Sequence, residues 1–232
     1  MSQRVQRIAP LATVALALLL PLRGLLRAPG PPMEEGFMLV FPERVLRGDI
    51  PNVDFLHLYG PGSLWVLAAV YKVFGTSLWS ERGFGYLQQV ALVLGVFALA
   101  RPWGRWVAAA CAITTAVIVV PPIGLTALAW VGGVALAVWA MVAALHGRRS
   151  VDARRAGRWL LLAGVLGGFA LLYRPDLVLA VGGGLAAAAW GIDRGRRNRI
   201  LAGLAIGGSP ILVHLAIAGP LNAIDGMVID PI

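Results

Sequence analysis

Long apolar runs separated by short arginine-bearing stretches dominate the chain. They fill Ile8–Leu26, Phe84–Ala100, Trp106–Val120, Ile123–Leu145, Trp159–Tyr173, Leu177–Ile192 and Ile200–Ala218. A helix needs roughly 20 apolar residues to cross the hydrocarbon core, and these runs approach that length. The pattern predicts an all-α membrane protein with about seven transmembrane helices, forming a single transmembrane domain over residues 1–232. The first run resembles a signal peptide. Arg23 and Arg27 stand where a small-residue cleavage site would follow, so an uncleaved span is expected.

Residues 28–82 are different in character, rich in proline and acidic side chains, and read as a large loop with juxtamembrane helices. Phe37, Val40, Phe41 and Val45 share one helical face, while Glu43, Arg44 and Arg47 fall elsewhere. This predicts an amphipathic helix along the membrane surface, stopped by Gly48. Ser63–Phe74 is apolar but contains Lys72. As a helix it would cover only about 18 Å of a core about 30 Å thick, so a re-entrant or interfacial helix is expected. The last segment, from Gly219, reads as a loop.

Composition agrees with a membrane protein: 59% of residues are hydrophobic and 13% charged, with mean hydropathy +0.79. The net charge of +9 comes from arginine clusters between apolar runs. That arrangement sets topology; no basic surface domain is present to bind nucleic acid. If Ser63–Phe74 does not span, one side carries Arg4, Arg7, Arg101, Arg105, Arg148, Arg149, Arg154, Arg155, Arg158, Arg194, Arg196, Arg197 and Arg199, with only Asp152 and Asp193 as acids. If it did span, eleven of those arginines would move across. The positive-inside rule selects the first arrangement, with a cytoplasmic N-terminus in the cell membrane and residues 28–82 outside. The single cysteine, Cys111, can form no intrachain disulfide.

Candidate chemistry concentrates in that external loop. Glu34 and Glu35 follow the first span, and Asp54 follows a turn that can bring it back near them. Carboxylates at a membrane boundary are partly desolvated, which suits them to take a proton from an attacking hydroxyl. The three could also share a divalent cation through oxygen ligands. His57 stands alone, short of the three or four ligands that zinc requires. His214, in the last run, is expected to be a neutral, hydrogen-bonded helix residue. No P-loop, GxSxG or HExxH motif occurs.

The order of elements in this loop resembles the start of a GT-C glycosyltransferase, the multi-span group of protein O-mannosyltransferases, aminoarabinose transferases and actinobacterial mannosyl- and arabinosyltransferases. The elements are Glu34-Glu35-Gly36 after the first span, an amphipathic helix, and the Gly48–Phe55 turn with Pro51 and Asp54. The Tyr59-Gly60-Pro61-Gly62 turn, a short apolar helix ending at Phe74-Gly75, and Arg82 at the second span follow. Tyr173-Arg174-Pro175-Asp176 is similar to another recurrent feature of the family. The resemblance implies inverting transfer of a sugar from a polyprenyl-phosphate donor to an acceptor on the external face. It implies Glu34 or Glu35 as general base, with Glu34 where the family usually has Asp, and Asp54 holding acceptor or sugar. Arg174, Lys72 or Arg82 would stabilise the leaving phosphate, and His57, Tyr59 and Asp176 fall among the substrate-binding positions. The chain departs from the family in lacking an acid in the next external loop. It also has fewer spans than the usual eleven or more, which implies the N-terminal part of a longer fold. Two other classes remain open on the residues alone. One is a transporter subunit, although the spans carry almost no charge; the other is a non-catalytic membrane scaffold.

Overall fold

A computed structural model describes residues 3–229. Among them, six helical segments are long and apolar enough to cross a membrane: Ile8–Leu25, Leu78–Trp103, Arg105–Ile123, Ala129–Arg149, Ala153–Tyr173 and Arg194–Ala218. The elements in chain order are α1 (Gln3–Leu19), α2 (Leu22–Leu25), α3 (Pro32–Arg47), α4 (Gly62–Phe74), α5 (Leu78–Ala100) and α6 (Arg105–Ile123). Then follow α7 (Ala129–Arg149), α8 (Ala153–Tyr173), α9 (Val178–Ala189), α10 (Arg194–Gly208), α11 (Pro210–Ala218) and α12 (Pro220–Ile224).

The predicted run Leu177–Ile192 takes a shorter form, a 3-10 turn at Pro175–Leu177 leading into α9. Its direction follows from the glycines. Gly164 of α8 lies against Gly203 of α10, and Gly168 lies against Gly207 and Gly208. The two rows advance together, so α8 and α10 are parallel and touch backbone to backbone, as small residues four apart allow. The chain between them must run back. Val181 and Leu185 of α9 pack on Gly167, and Arg148 at the end of α7 donates to the carbonyls of Ala187 and Ala188. The six long segments and the shorter α9 therefore run between two ends. An arginine end gathers Arg101, Arg105 and the clusters from Arg148 to Arg158 and Arg194 to Arg199. A loop end gathers α3, α4 and the start of α5. Exposed Trp103, Trp106 and Trp190 ring the arginine end, and Trp79 marks the loop end, as aromatic residues do at both membrane interfaces.

Several boundaries differ from the sequence expectation. α3 begins at Pro32, with Pro31 as cap and proline at the first helical position. Glu34 and Glu35 thus sit in its first turn, where the helix dipole favours acids. Its buried positions include Glu35, Met38 and Pro42, while Phe37 and Val40 of the predicted apolar face are exposed. α5 begins at Leu78, six residues before the predicted run, because the Ser77 hydroxyl caps it by accepting the Ser80 N–H at 3.2 Å. Pro121 and Pro122 lie in the last turn of α6, and the connection to α7 turns instead at Gly124, φ 59°. The segment after Gly219, expected as loop, forms α12 and a π-type turn, Asp225–Ile229, against Asn52.

Candidate active site

The loop end is assembled on the pairing of α3 with α4. The Tyr71 hydroxyl of α4 donates to the Met38 carbonyl at 2.9 Å. Burial, reinforced by the nearby Glu81 charge, holds the phenol well above its usual pKa. Met38, Phe55, Leu64, Leu67, Tyr71 and Ala127 form the apolar cluster beneath.

The Gly48–Phe55 stretch ties itself together. Gly48 takes the left-handed conformation, φ 103°, that ends α3. Arg44 donates to the Asp49 carboxylate at 2.6 Å and to the Asp54 carbonyl at 2.9 Å, with its guanidinium 4.7 Å from the Phe55 ring centre. The Asp54 carboxylate accepts the Ile50 N–H at 2.7 Å. Asp54 is exposed and lines a cavity of about 260 Å³ shared with Asn222 and Asp225, which Glu34 does not line. Asn52, at φ 66°, donates to the His57 carbonyl at 2.7 Å. Its side-chain oxygen lies 3.0 Å from Nε2 of His214, so that histidine is indeed hydrogen-bonded.

The Tyr59–Gly62 turn docks on the end of α8. The Gly60 N–H donates to the Tyr173 carbonyl at 3.1 Å. Gly60 and Gly62 lie so close to Leu172 and Tyr173 that neither has room for a Cβ. Docking sets the Tyr59 ring under the Arg174 guanidinium, 4.7 Å from the ring centre. Arg174 donates twice to Asp176, at 2.8 and 2.6 Å, and this pairing raises its pKa further, so it remains cationic. His57 is 3% exposed. Burial drives its pKa down to about 4, with the Gly60 carbonyl, 3.3 Å from Nε2, opposing and His214 assisting the shift. The ring is neutral at pH 7.

Glu34 and Glu35 have opposite surroundings, because successive helix residues point about 100° apart. Glu34 is half-buried and lines a cavity of about 400 Å³ walled by Phe37, Phe41, Phe55, His57 and Tyr59. It has no hydrogen-bond partner among the described residues. Glu35 faces inward and is clamped by Arg82 through two bonds, at 2.6 and 3.1 Å, with both side chains 11% exposed. Arg82 also donates to the Leu26 carbonyl at 2.7 Å. Lys72 is exposed in the last turn of α4 and does not line the cavity.

Sequence reasoning missed Glu81. It is completely buried, with Oε1 accepting the Ala127 N–H at 2.6 Å and Oε2 unpartnered among the described residues. Arg82 is thus paired with the Glu35 carboxylate and lies within electrostatic reach of the Glu81 carboxylate. The available signal was an acid immediately before an arginine at the mouth of an apolar run. The carboxylates expected to share a divalent cation do not fit one, since Arg82 occupies Glu35 and Asp54 lies in a separate cavity. Among the described residues no three His, Cys, Asp or Glu side chains are grouped to hold a metal.

Comparison with known proteins supplies the context for this geometry. The family model for dolichyl-phosphate-mannose-protein mannosyltransferase matches residues 59–217. The fold is similar to the crystal structure of ArnT from Cupriavidus metallidurans bound to undecaprenyl phosphate. The TM-score is 0.66 at 17% identity, covering 98% of this chain and 44% of that one. The chain therefore spans less than half the length of that protein. No curated protein matches the sequence.

Proposed function

The chain belongs to the dolichyl-phosphate-mannose-protein mannosyltransferase family, and on that premise we propose that it serves as a membrane glycosyltransferase of the GT-C type. It moves a sugar from a polyprenyl-phosphate donor to an acceptor hydroxyl. The arginine end lies in the cytoplasm and the loop end on the external face of the cell membrane, a reading supported by the distribution of arginine.

One observation carries the catalytic assignment. Glu34 faces an aromatic cavity with its carboxyl unpartnered among the described residues, while its neighbour Glu35 is neutralised by Arg82. Glu34 is therefore the general base and Glu35 a positioning residue that fixes the start of α3 against α5. The acceptor oxygen attacks the anomeric carbon from the side opposite the phosphate. The anomeric C–O bond breaks, the polyprenyl phosphate leaves with the electron pair, and the hydroxyl proton passes to Glu34, inverting the anomeric centre. Tyr59, His57 and the phenylalanine rings form the walls that hold the sugar and exclude water. Arg174, held cationic above Tyr59 by Asp176, stabilises the charge developing on the phosphate. Lys72, exposed on α4, meets the lipid phosphate as it approaches along the membrane surface. Asp54 acts through the shape of its turn.

The test compares wild type with Glu34→Gln for transfer from a polyprenyl-phosphate sugar in vesicles. General-base loss lowers kcat by about 10²–10⁴-fold, with thermal stability unchanged. A Glu34→Gln protein that transfers sugar at the wild-type rate removes Glu34 as the base.

A further inference from the structure

We propose that a cleft at the arginine end, between α8 and α10, holds the phosphate of an anionic glycerophospholipid from the adjoining leaflet. The cleft has a volume of about 370 Å³ and is lined by Arg154, Gly157, Arg158 and Leu161 from α8 and by Arg199 from α10. Among the described residues no carboxylate lines it. The two acids of this end are engaged elsewhere: Asp193 pairs with Arg196 at 3.2 Å, and Asp152 caps α8 by accepting the Arg155 N–H at 3.0 Å. The field of Asp152 reaches Arg158, but one carboxylate against three guanidinium groups leaves the cleft strongly positive.

The shape of the cleft matches the charge. Gly157 presents no side chain, so Arg199 lies along the α8 backbone, its Nε 3.9 Å from where a Cβ would stand. Arg154, Arg158 and Arg199 thus line one cleft together with Gly157 and Leu161. Exposed Trp103, Trp106 and Trp190 place this end at the headgroup level. Leu161, one turn deeper, faces the hydrocarbon side of the cleft. A phosphodiester satisfies the guanidinium forks and relieves their mutual repulsion, while the attached acyl chains continue along the bundle. Basic pockets between transmembrane helices on the cytoplasmic side bind acidic headgroups in this way. A lipid is favoured over free phosphate because the membrane supplies both the charge and the apolar anchor. An acidic lipid is favoured over a zwitterionic one because no carboxylate lines the cleft to receive a headgroup cation.

Native mass spectrometry of the full chain tests this, using phosphatidylglycerol, phosphatidylcholine and inorganic phosphate as probes. Wild type retains phosphatidylglycerol in preference to phosphatidylcholine, and inorganic phosphate does not displace it. Each arginine contributes about fivefold, so R154Q/R158Q/R199Q lowers the preference by on the order of a hundredfold. The lysine triple R154K/R158K/R199K keeps most of it. R105Q/R149Q/R194Q removes equal charge from the same end outside the cleft and leaves the preference in place. Equal loss in the two glutamine triples, or displacement by inorganic phosphate, overturns the proposal. R199Q alone, a change on the exposed start of α10, gives the same reading if the triple does not fold: no loss of preference there also overturns it.

Discussion

Replacing Glu35 by glutamine separates the buried clamp from the chemistry beside it. The substitution leaves size almost unchanged but strands the Arg82 guanidinium, a group 11% exposed that keeps the Leu26 carbonyl as its other partner. Breaking one side of a buried ion pair costs about 3–5 kcal/mol, because the remaining charge is neither solvated nor matched. Glu81 stands close enough to Arg82 to interact with it electrostatically and takes over part of the compensation. The lower end of that range, roughly 3 kcal/mol, is therefore expected. For a chain of this size each kcal/mol moves the melting temperature by about 2–4 °C, so Glu35→Gln should melt on the order of 10 °C below wild type in detergent. Removing both partners, as Glu35→Met with Arg82→Met, should restore most of the loss, since an apolar pair of similar volume replaces a buried ion pair at little cost. Thermal unfolding of Glu35→Met, Arg82→Met and the double forms a cycle whose coupling is the measured quantity. A Glu35→Gln protein as stable as wild type, or a double variant no better than the worse single, would refute the clamp.

Three further outcomes follow from the same geometry. Gly60→Ala places a methyl against the Leu172 carbonyl, so the turn should lift from α8 at a cost of about 1–3 kcal/mol, with transfer activity falling as Tyr59 leaves Arg174; an unchanged melting temperature contradicts this. His57 binds its proton less readily when folded, about 4 against an ordinary 6.5, so the unfolded chain takes up the proton first. Stability should then be fully present above pH 6.5 and decline by roughly 3 kcal/mol toward pH 4, and a His57→Gln protein that shows the same acid-side decline excludes this origin. In a Cys111→Ala background, an impermeant thiol reagent on intact cells should label cysteine placed at exposed Val53 and leave cysteine at exposed Val151 unmodified; the reverse pattern inverts the membrane orientation.

The apolar runs were readable because each long helix is written as a contiguous stretch that only a bilayer can accommodate. The same habit of reading charge as loop misplaced the beginnings of α3 and α5. Glu34, Glu35, Glu81 and Arg82 fell outside the predicted apolar runs because charge bounds such runs. The partner of Arg82 is 47 positions away, beyond any local pattern. The predicted apolar stripe on α3 named Phe37 and Val40, which are exposed, as residues facing a membrane surface would be; the protein-facing positions Glu35, Met38 and Pro42 are set by α4 and the Glu35 clamp. The Tyr-Gly-Pro-Gly turn was visible as a motif. That both of its glycines are needed to seat it on α8 becomes apparent only when Leu172 and Tyr173 arrive there. Asp54 was read as a partner of the glutamates because it lies close along the chain; its turn, tied by Arg44 and Ile50, lines the cavity on the other side of Phe55 and Leu56.

The seating of that turn on α8 makes the helix a strut. At about 1.5 Å per residue its 21 residues measure roughly 31 Å, close to the thickness of the hydrocarbon layer. Arginines anchor its other end, so the height of the aromatic pocket above the lipid is a fixed length measured from the opposite leaflet. A thicker or thinner bilayer would be met by tilt of the strut, and tilt would swing the pocket toward or away from the proposed polyprenyl-phosphate donor, whose phosphate would stay at the lipid surface. Membrane thickness is in this sense a dimension of the reaction site.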